Sequence, residues 1–110
     1  MRFLVLIGAL VLFLSAPGAG NADPGKPDRI VTIDNFVFTP PTVTIPAGTR
    51  VVWINRDDIP HTVTSPSGQQ VFGSPPLDTD DRFSVVFDRP GIYRYFCSIH
   101  PMMTGTVVVQ

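Results

Sequence analysis

The 110-residue sequence has one cysteine, two histidines, one tryptophan and no glutamate. A single cysteine excludes an intramolecular disulfide, so the staples on which small exported domains normally rely are missing. Nine aspartates stand against one lysine and seven arginines, a net charge of -1. So mild a balance argues against nucleic acid or an anionic membrane as a partner. Twelve prolines leave little room for a long helix. The longest apolar run, Phe3 to Leu14, is about a dozen residues, shorter than the roughly 20 that a spanning helix needs. No cysteine sits at the end of the run, which removes the basis for lipoprotein attachment.

What is present divides the chain. Arg2, the apolar run and the small residues Ser15 to Ala22 have the order of a secretory signal peptide. Residues 1–22 are therefore expected to be a signal peptide cut after Ala22, with the mature chain exported to the periplasm or the extracellular side and not inserted in the membrane. Residues 23–28, with Pro24, Gly25 and Pro27, read as a flexible lead-in. Residues 29–110 form one domain.

Within that domain, β-branched and aromatic runs alternate with Pro, Gly and Asp clusters, which predicts an all-β fold. Strands are expected at Ile30 to Asp34, Thr42 to Ile45, Arg50 to Asn55, Thr62 to Ser65, Arg82 to Phe87, Gly91 to Cys97 and Gly105 to Val109. Period-two alternation puts Val51 with Trp53 on one face. The same holds for Phe83, Val85 and Phe87, for Tyr93, Tyr95 and Cys97, and for Val107 and Val109. Such faces meet in a sandwich core. Pro46-Ala47-Gly48 and Arg89-Pro90-Gly91 carry the chemistry of sharp reversals. Ser65 to Asp81 is expected to be the longest irregular connection, with one short strand near Val71-Phe72.

The soft and imidazole ligands beyond residue 22 are His61, Cys97, His100, Met102 and Met103. Taken singly, a cysteine closing an aromatic strand is commonly a small core residue, and a histidine beside a proline is commonly solvated. Taken together they form a pattern. A lone thiol in an oxidising compartment calls for burial, an intermolecular partner or a metal. Ser98-Ile99 lets the chain turn between Cys97 and His100, and Pro101-Met102 brings Met103 toward the same point. Two imidazoles, one thiolate and a weak axial thioether suit copper in both oxidation states. The expected metal ligands are His61, Cys97, His100 and Met103, with Met102 the rival thioether.

The segment from Tyr93 to Gly105, with its Cys97-x-x-His100-x-x-Met103 spacing, resembles the cupredoxins (type 1 blue copper proteins), and its short ligand loop is similar to that of amicyanins. The likeness reaches back through Trp53, Asn55, Pro60 and His61; plastocyanins are similar but space the second His and the Met further apart. The resemblance implies a Greek-key β-sandwich with one type 1 copper near one end, beneath a loop that exposes an edge of His100. One departure is Thr62, where the family commonly has an asparagine that ties the ligand loops together. A threonine hydroxyl can make a similar tie toward Ser98. The resemblance also implies a backbone N–H donor to the Cys97 sulfur, near Thr62 or within residues 98–103.

These features together predict a monomeric electron carrier rather than an enzyme, since a copper enzyme would need further histidines for a second site. Ile59, Pro60, Pro101 and Met102 are expected to surround His100 as an apolar patch for a transient redox protein partner. Arg56, Asp57 and Asp58 are expected to form a solvated turn, with encounter steering as their other role. The competing readings are a copper carrier or buffer, a zinc site with the same ligands, and a metal-free module.

Overall fold

The computed structural model describes residues 25–68 and 70–110, so the expected signal peptide and the start of the lead-in lie outside the described residues. Of the lead-in, Lys26 Nζ donates to the carbonyl of Ala47, and Asp28 lies 3.9 Å from Arg50. Seven strands follow: β1 (Arg29–Asp34), β2 (Val37–Thr39), β3 (Thr42–Ile45), β4 (Thr49–Asn55), β5 (Arg82–Phe87), β6 (Gly91–Phe96) and β7 (Thr104–Val109). One sheet has the order β2-β1-β4-β5 and the other β3-β7-β6. The pairs β1/β4 and β3/β7 are parallel, and the remaining neighbours are antiparallel.

The result is the expected all-β sandwich, and alternation along the strands explains its core. Val31 and Ile33, Val51 and Trp53, Phe87, Tyr93 and Tyr95, and Val107 and Val109 are buried in one apolar cluster. Side chains two apart on a strand share a face, so each run supplies a continuous apolar stripe. Trp53 lies at the centre, its ring 5.2 Å from Tyr95 and 6.1 Å from Phe72 and Phe83.

The Pro46-Ala47-Gly48 and Arg89-Pro90-Gly91 segments lie between consecutive strands, as expected, and each carries the chain from one sheet to the other. At the first, the Ala47 N–H donates to the Gln110 carbonyl just beyond β7 and the Gly48 N–H to the Phe87 carbonyl at the end of β5, so the turn bonds to strand ends of both sheets. Gly48, at φ 89°, supplies the left-handed residue that this arch requires.

The short strand β2 follows a two-residue turn whose central residues, Asn35 and Phe36, have φ of 52° and 60°. Such a turn usually carries Asn-Gly, and Phe36 in place of glycine conceals it. Thr62 to Ser65 is not a regular strand, because only single bridges join His61 to Leu77 and Thr64 to Gly73 and Phe96. Side-chain hydroxyls replace the missing ladder: Ser74 Oγ accepts from the Val63 N–H and Ser65 Oγ from the Phe72 N–H. Val71-Phe72 is likewise no strand. Phe72 enters the core while Val71 is exposed, and the irregular connection spans 56–81.

Candidate metal centre

The site lies where this long connection meets the β6–β7 turn. Asn55, fully buried at the end of β4, organises the first of these segments. Its Nδ2 donates to the carbonyls of Ile59 and Leu77 at 2.9 and 2.8 Å, and its Oδ1 accepts the Asp57 N–H at 2.9 Å. A buried side-chain amide with these partners substitutes for a sheet ladder where the chain has none. His61 then enters the interior, bonded through both its N–H and carbonyl to Leu77.

On the second segment, β6 ends at Phe96 and releases Cys97 into a tight turn. The Cys97 N–H donates to the Met103 carbonyl at 3.1 Å, and the Met103 N–H donates to the His100 carbonyl at 2.9 Å. Closing the loop this way puts Met103 inside, 4% exposed, and leaves Met102 95% exposed.

His61, Cys97 and His100 converge, with one ligand atom from each lying within 4.8 Å of the others. Cys97 Sγ is 3.9 Å from His61 Nδ1 and 3.8 Å from His100 Nδ1. Metal–sulfur and metal–nitrogen bonds of roughly 2.3 and 2.0 Å, opened to about 120°, separate the two atoms by about 3.7 Å. Each imidazole therefore stands at a distance from the sulfur that suits a shared metal ion. His61 and Cys97 are fully buried, whereas His100 is half-buried and is the imidazole nearest to solvent.

The sulfur sits among donors. The Thr62 N–H points at Cys97 Sγ from 3.3 Å, and Thr62 Oγ1 lies 3.9 Å away. Burial pushes the Cys97 thiol up, but the backbone N–H groups of Thr62 and His100 and both imidazoles outweigh it and bring it down to about 6. A thiol so placed is poised to act as a thiolate ligand.

Thr62 also makes the tie expected of it. Its Oγ1 accepts the Ser98 N–H at 2.7 Å and lies 2.8 Å from Ser98 Oγ and 3.0 Å from Thr64 Oγ1. One hydroxyl thereby joins the His61 segment to the Cys97–Met103 turn.

The matching family model is the cupredoxin-like domain, over residues 4–109. The chain is a cupredoxin. It is 38% identical to amicyanin-alpha from Methylorubrum extorquens over the full length of both chains. It is 36% identical to plastocyanin from Scenedesmus fuscus, over 68% of this chain and 88% of that one. Among solved structures, an oxidised amicyanin variant superposes with a TM-score of 0.72 at 31% identity, over 76% of this chain and 82% of that one. A purple cupredoxin from Nitrosopumilus maritimus gives 0.70 at 39% identity, over 76% of this chain and all of that one. A copper-containing nitrite reductase from Thermus scotoductus also matches, with a TM-score of 0.71 at 31% identity, over 76% of this chain but only 22% of the reductase.

Two features of this cupredoxin's site escaped the sequence reading. Phe36 stands edge-on to both histidine rings, 5.3 Å from His61 and 5.1 Å from His100. It comes from the concealed turn before β2, which no local signal places at the site. The second is Asp57, which does not belong to a solvated turn. Its side chain is 11% exposed and its Oδ2 lies 2.7 Å from His61 Nε2. The two residues lie four apart but outside any helix, so their spacing in sequence gave no hint of the contact. Arg56 and Asp58 are exposed, and Arg56 pairs with Asp80 at 2.5 Å.

Proposed function

We propose that this cupredoxin is an exported electron carrier that binds one copper ion through His61, Cys97, His100 and Met103. The convergence of Cys97 Sγ with the two Nδ1 atoms carries the reading. Copper held there supplies a one-electron step, alternating between Cu(II) and Cu(I). The chain's own contribution is to keep that ligand set nearly fixed. Thr62 joins the two ligand segments, its N–H stabilises the thiolate, and the short hydrogen-bonded turn holds Met103 inward, where its thioether would be the fourth ligand. A set held in this way suits rapid electron exchange.

Electrons pass through the exposed side of His100. Phe36, Val37 and Met102 line one groove, and with Ile59 and Ile99 they are the exposed large apolar side chains of the loop end. A small apolar patch of this kind supports brief docking of a redox protein to a monomer rather than a permanent complex. Storage or transfer of copper fits less well, because His61 and Cys97 are fully buried and ligand exchange would require the loops to part. No helix of the described residues is long and apolar enough to cross a membrane, and export rests on the sequence of residues 1–22.

One equivalent of Cu(II) added to the purified mature domain is expected to give intense blue or green absorption, with small copper hyperfine splitting in EPR. Cys97→Ser is expected to abolish the colour while leaving the far-UV spectrum of the sandwich intact. A weak spectrum from the wild-type domain, or full colour in the variant, would refute the assignment.

A further inference from the structure

Asp57 is unusual in what it gathers. One carboxylate takes three donors from two places in the chain: the Asn35 N–H on Oδ1 at 2.7 Å, the Phe36 N–H on Oδ2 at 3.0 Å, and His61 Nε2 on Oδ2 at 2.7 Å. The first two belong to consecutive residues with positive φ. Successive backbone N–H groups in such a turn form a concave anion site, and here the anion is a side chain of the same molecule. Asp57 is itself held, its N–H by Asn55 Oδ1 and its carbonyl by Thr79 Oγ1 at 2.7 Å. Its position is thus imposed from both sides.

The bond to His61 has a direct chemical consequence. A carboxylate can only accept, so His61 carries its proton on Nε2 and presents the Nδ1 lone pair toward Cys97. The same bond gives the imidazole anionic character and makes it a stronger donor to a cation. The bonds to Asn35 and Phe36 hold the turn that places the Phe36 ring against both histidines.

We propose that Asp57 is a positioning residue for the metal centre, orienting and charging His61 while clamping the Phe36 turn over the two imidazoles, and that it thereby favours Cu(II) over Cu(I). The inference rests on the copper reading of the site. Negative charge one residue behind a ligand stabilises the more highly charged ion more, so removing that charge raises the reduction potential.

The test compares copper-loaded wild type, Asp57→Asn and Asp57→Ala. Loss of a partner behind a ligating histidine typically costs about 10- to 100-fold in metal affinity, and a loss of that order is expected for Cu(II) in both variants. The reduction potential is expected to rise in both, because both lose the charge. Thermal stability is expected to fall further in Asp57→Ala, which also loses every acceptor for the turn. In wild-type Cu(I) protein, the His61 Nε2–H is expected to be visible by NMR, shifted downfield and slow to exchange.

Folded, coloured variants with unchanged potential and affinity would reduce Asp57 to a structural role and overturn the proposal. Should neither variant fold, the wild-type His61 signal decides, since a rapidly exchanging Nε2–H overturns the proposal and a protected one upholds it. Absence of thiolate–copper colour in the wild type itself would refute the copper reading and the role of Asp57 with it.

Discussion

In the body of the sandwich, Trp53, Phe87 and Tyr95 are enclosed by other rings and aliphatic side chains; at the loop end, His61, Asn55 and Asp57 are enclosed by hydrogen-bond donors and acceptors. The body even leaves polar atoms unmet. Among the described residues, the buried side-chain polar atoms without a hydrogen-bond partner are Trp53 Nε1 and Tyr95 Oη, both in the body. Burial pushes the Tyr95 phenol up to about 12, outweighing the neighbouring Trp53 side chain, which acts in the other direction. Area removed from water stabilises the body at about 25 cal/mol per Å² whatever the exact ring geometry. The loop end has no such latitude, because a metal site needs its ligands within a few tenths of an ångström, and directional bonds supply that precision.

Three substitutions would break or sharpen this contrast. The largest effect is expected from Asn55→Ala. It strands the Ile59 carbonyl and the Asp57 N–H and leaves the Leu77 carbonyl only the bond from the His61 N–H, and at about 1–3 kcal/mol for each unmet group a loss of roughly 2–4 kcal/mol is expected. Denaturant unfolding measures it, and copper affinity is expected to fall in parallel because Asp57 and His61 lose their support. A loss below about 1 kcal/mol would show that the loop end does not depend on its hydrogen bonds.

Gly105→Ala probes the body. A Cβ at that position would lie 2.2 Å from Tyr95 Cζ and 2.3 Å from its Oη. The Tyr95 ring is 2% exposed and packed edge-on against Phe38 and Trp53, so it has little room to give way. Overpacking of this kind is expected to cost about 1–3 kcal/mol, read as a lower Tm. Copper colour at low temperature is expected to persist, since no ligand contact changes. Loss of colour in the folded variant would mean that the two regions are not separable.

The smallest effect is expected from Thr62→Val, which keeps the shape and the N–H to Cys97 but removes the acceptor for the Ser98 N–H. A loss of about 1 kcal/mol is expected, together with a broadened EPR signal as the two ligand segments gain freedom. Thr62→Ser, which retains the hydroxyl, is expected to restore the wild-type spectrum. A spectrum unchanged by Thr62→Val would remove the inter-loop tie from the account of the site.

The two regions also differ in how far they could be read before folding. The body was legible because alternation of apolar residues along a strand is a local property, and Val51 with Trp53 or Tyr93 with Tyr95 can face only one way once the strand forms. Part of the site was legible for the same reason, since Cys97, His100 and Met103 sit on one short turn. His61 could be paired with them only by its residue type. Asp57 looked like one of several surface aspartates, because its partners Asn35 and Phe36 lie more than 20 residues away on another strand connection.

The amino-acid sequence by itself therefore determined an all-β domain and a soft ligand set gathered near one strand end. Tertiary structure alone decided that the two Pro/Gly segments arch between sheets, that the Asn35-Phe36 turn covers the histidines, and that Asp57 rather than solvent meets His61 Nε2. Strand periodicity and a seven-residue ligand turn are encoded by neighbours in the chain. A positive-φ turn, a carboxylate acceptor and a buried imidazole acquire their roles only when distant segments are brought together and their polar groups must find partners away from water.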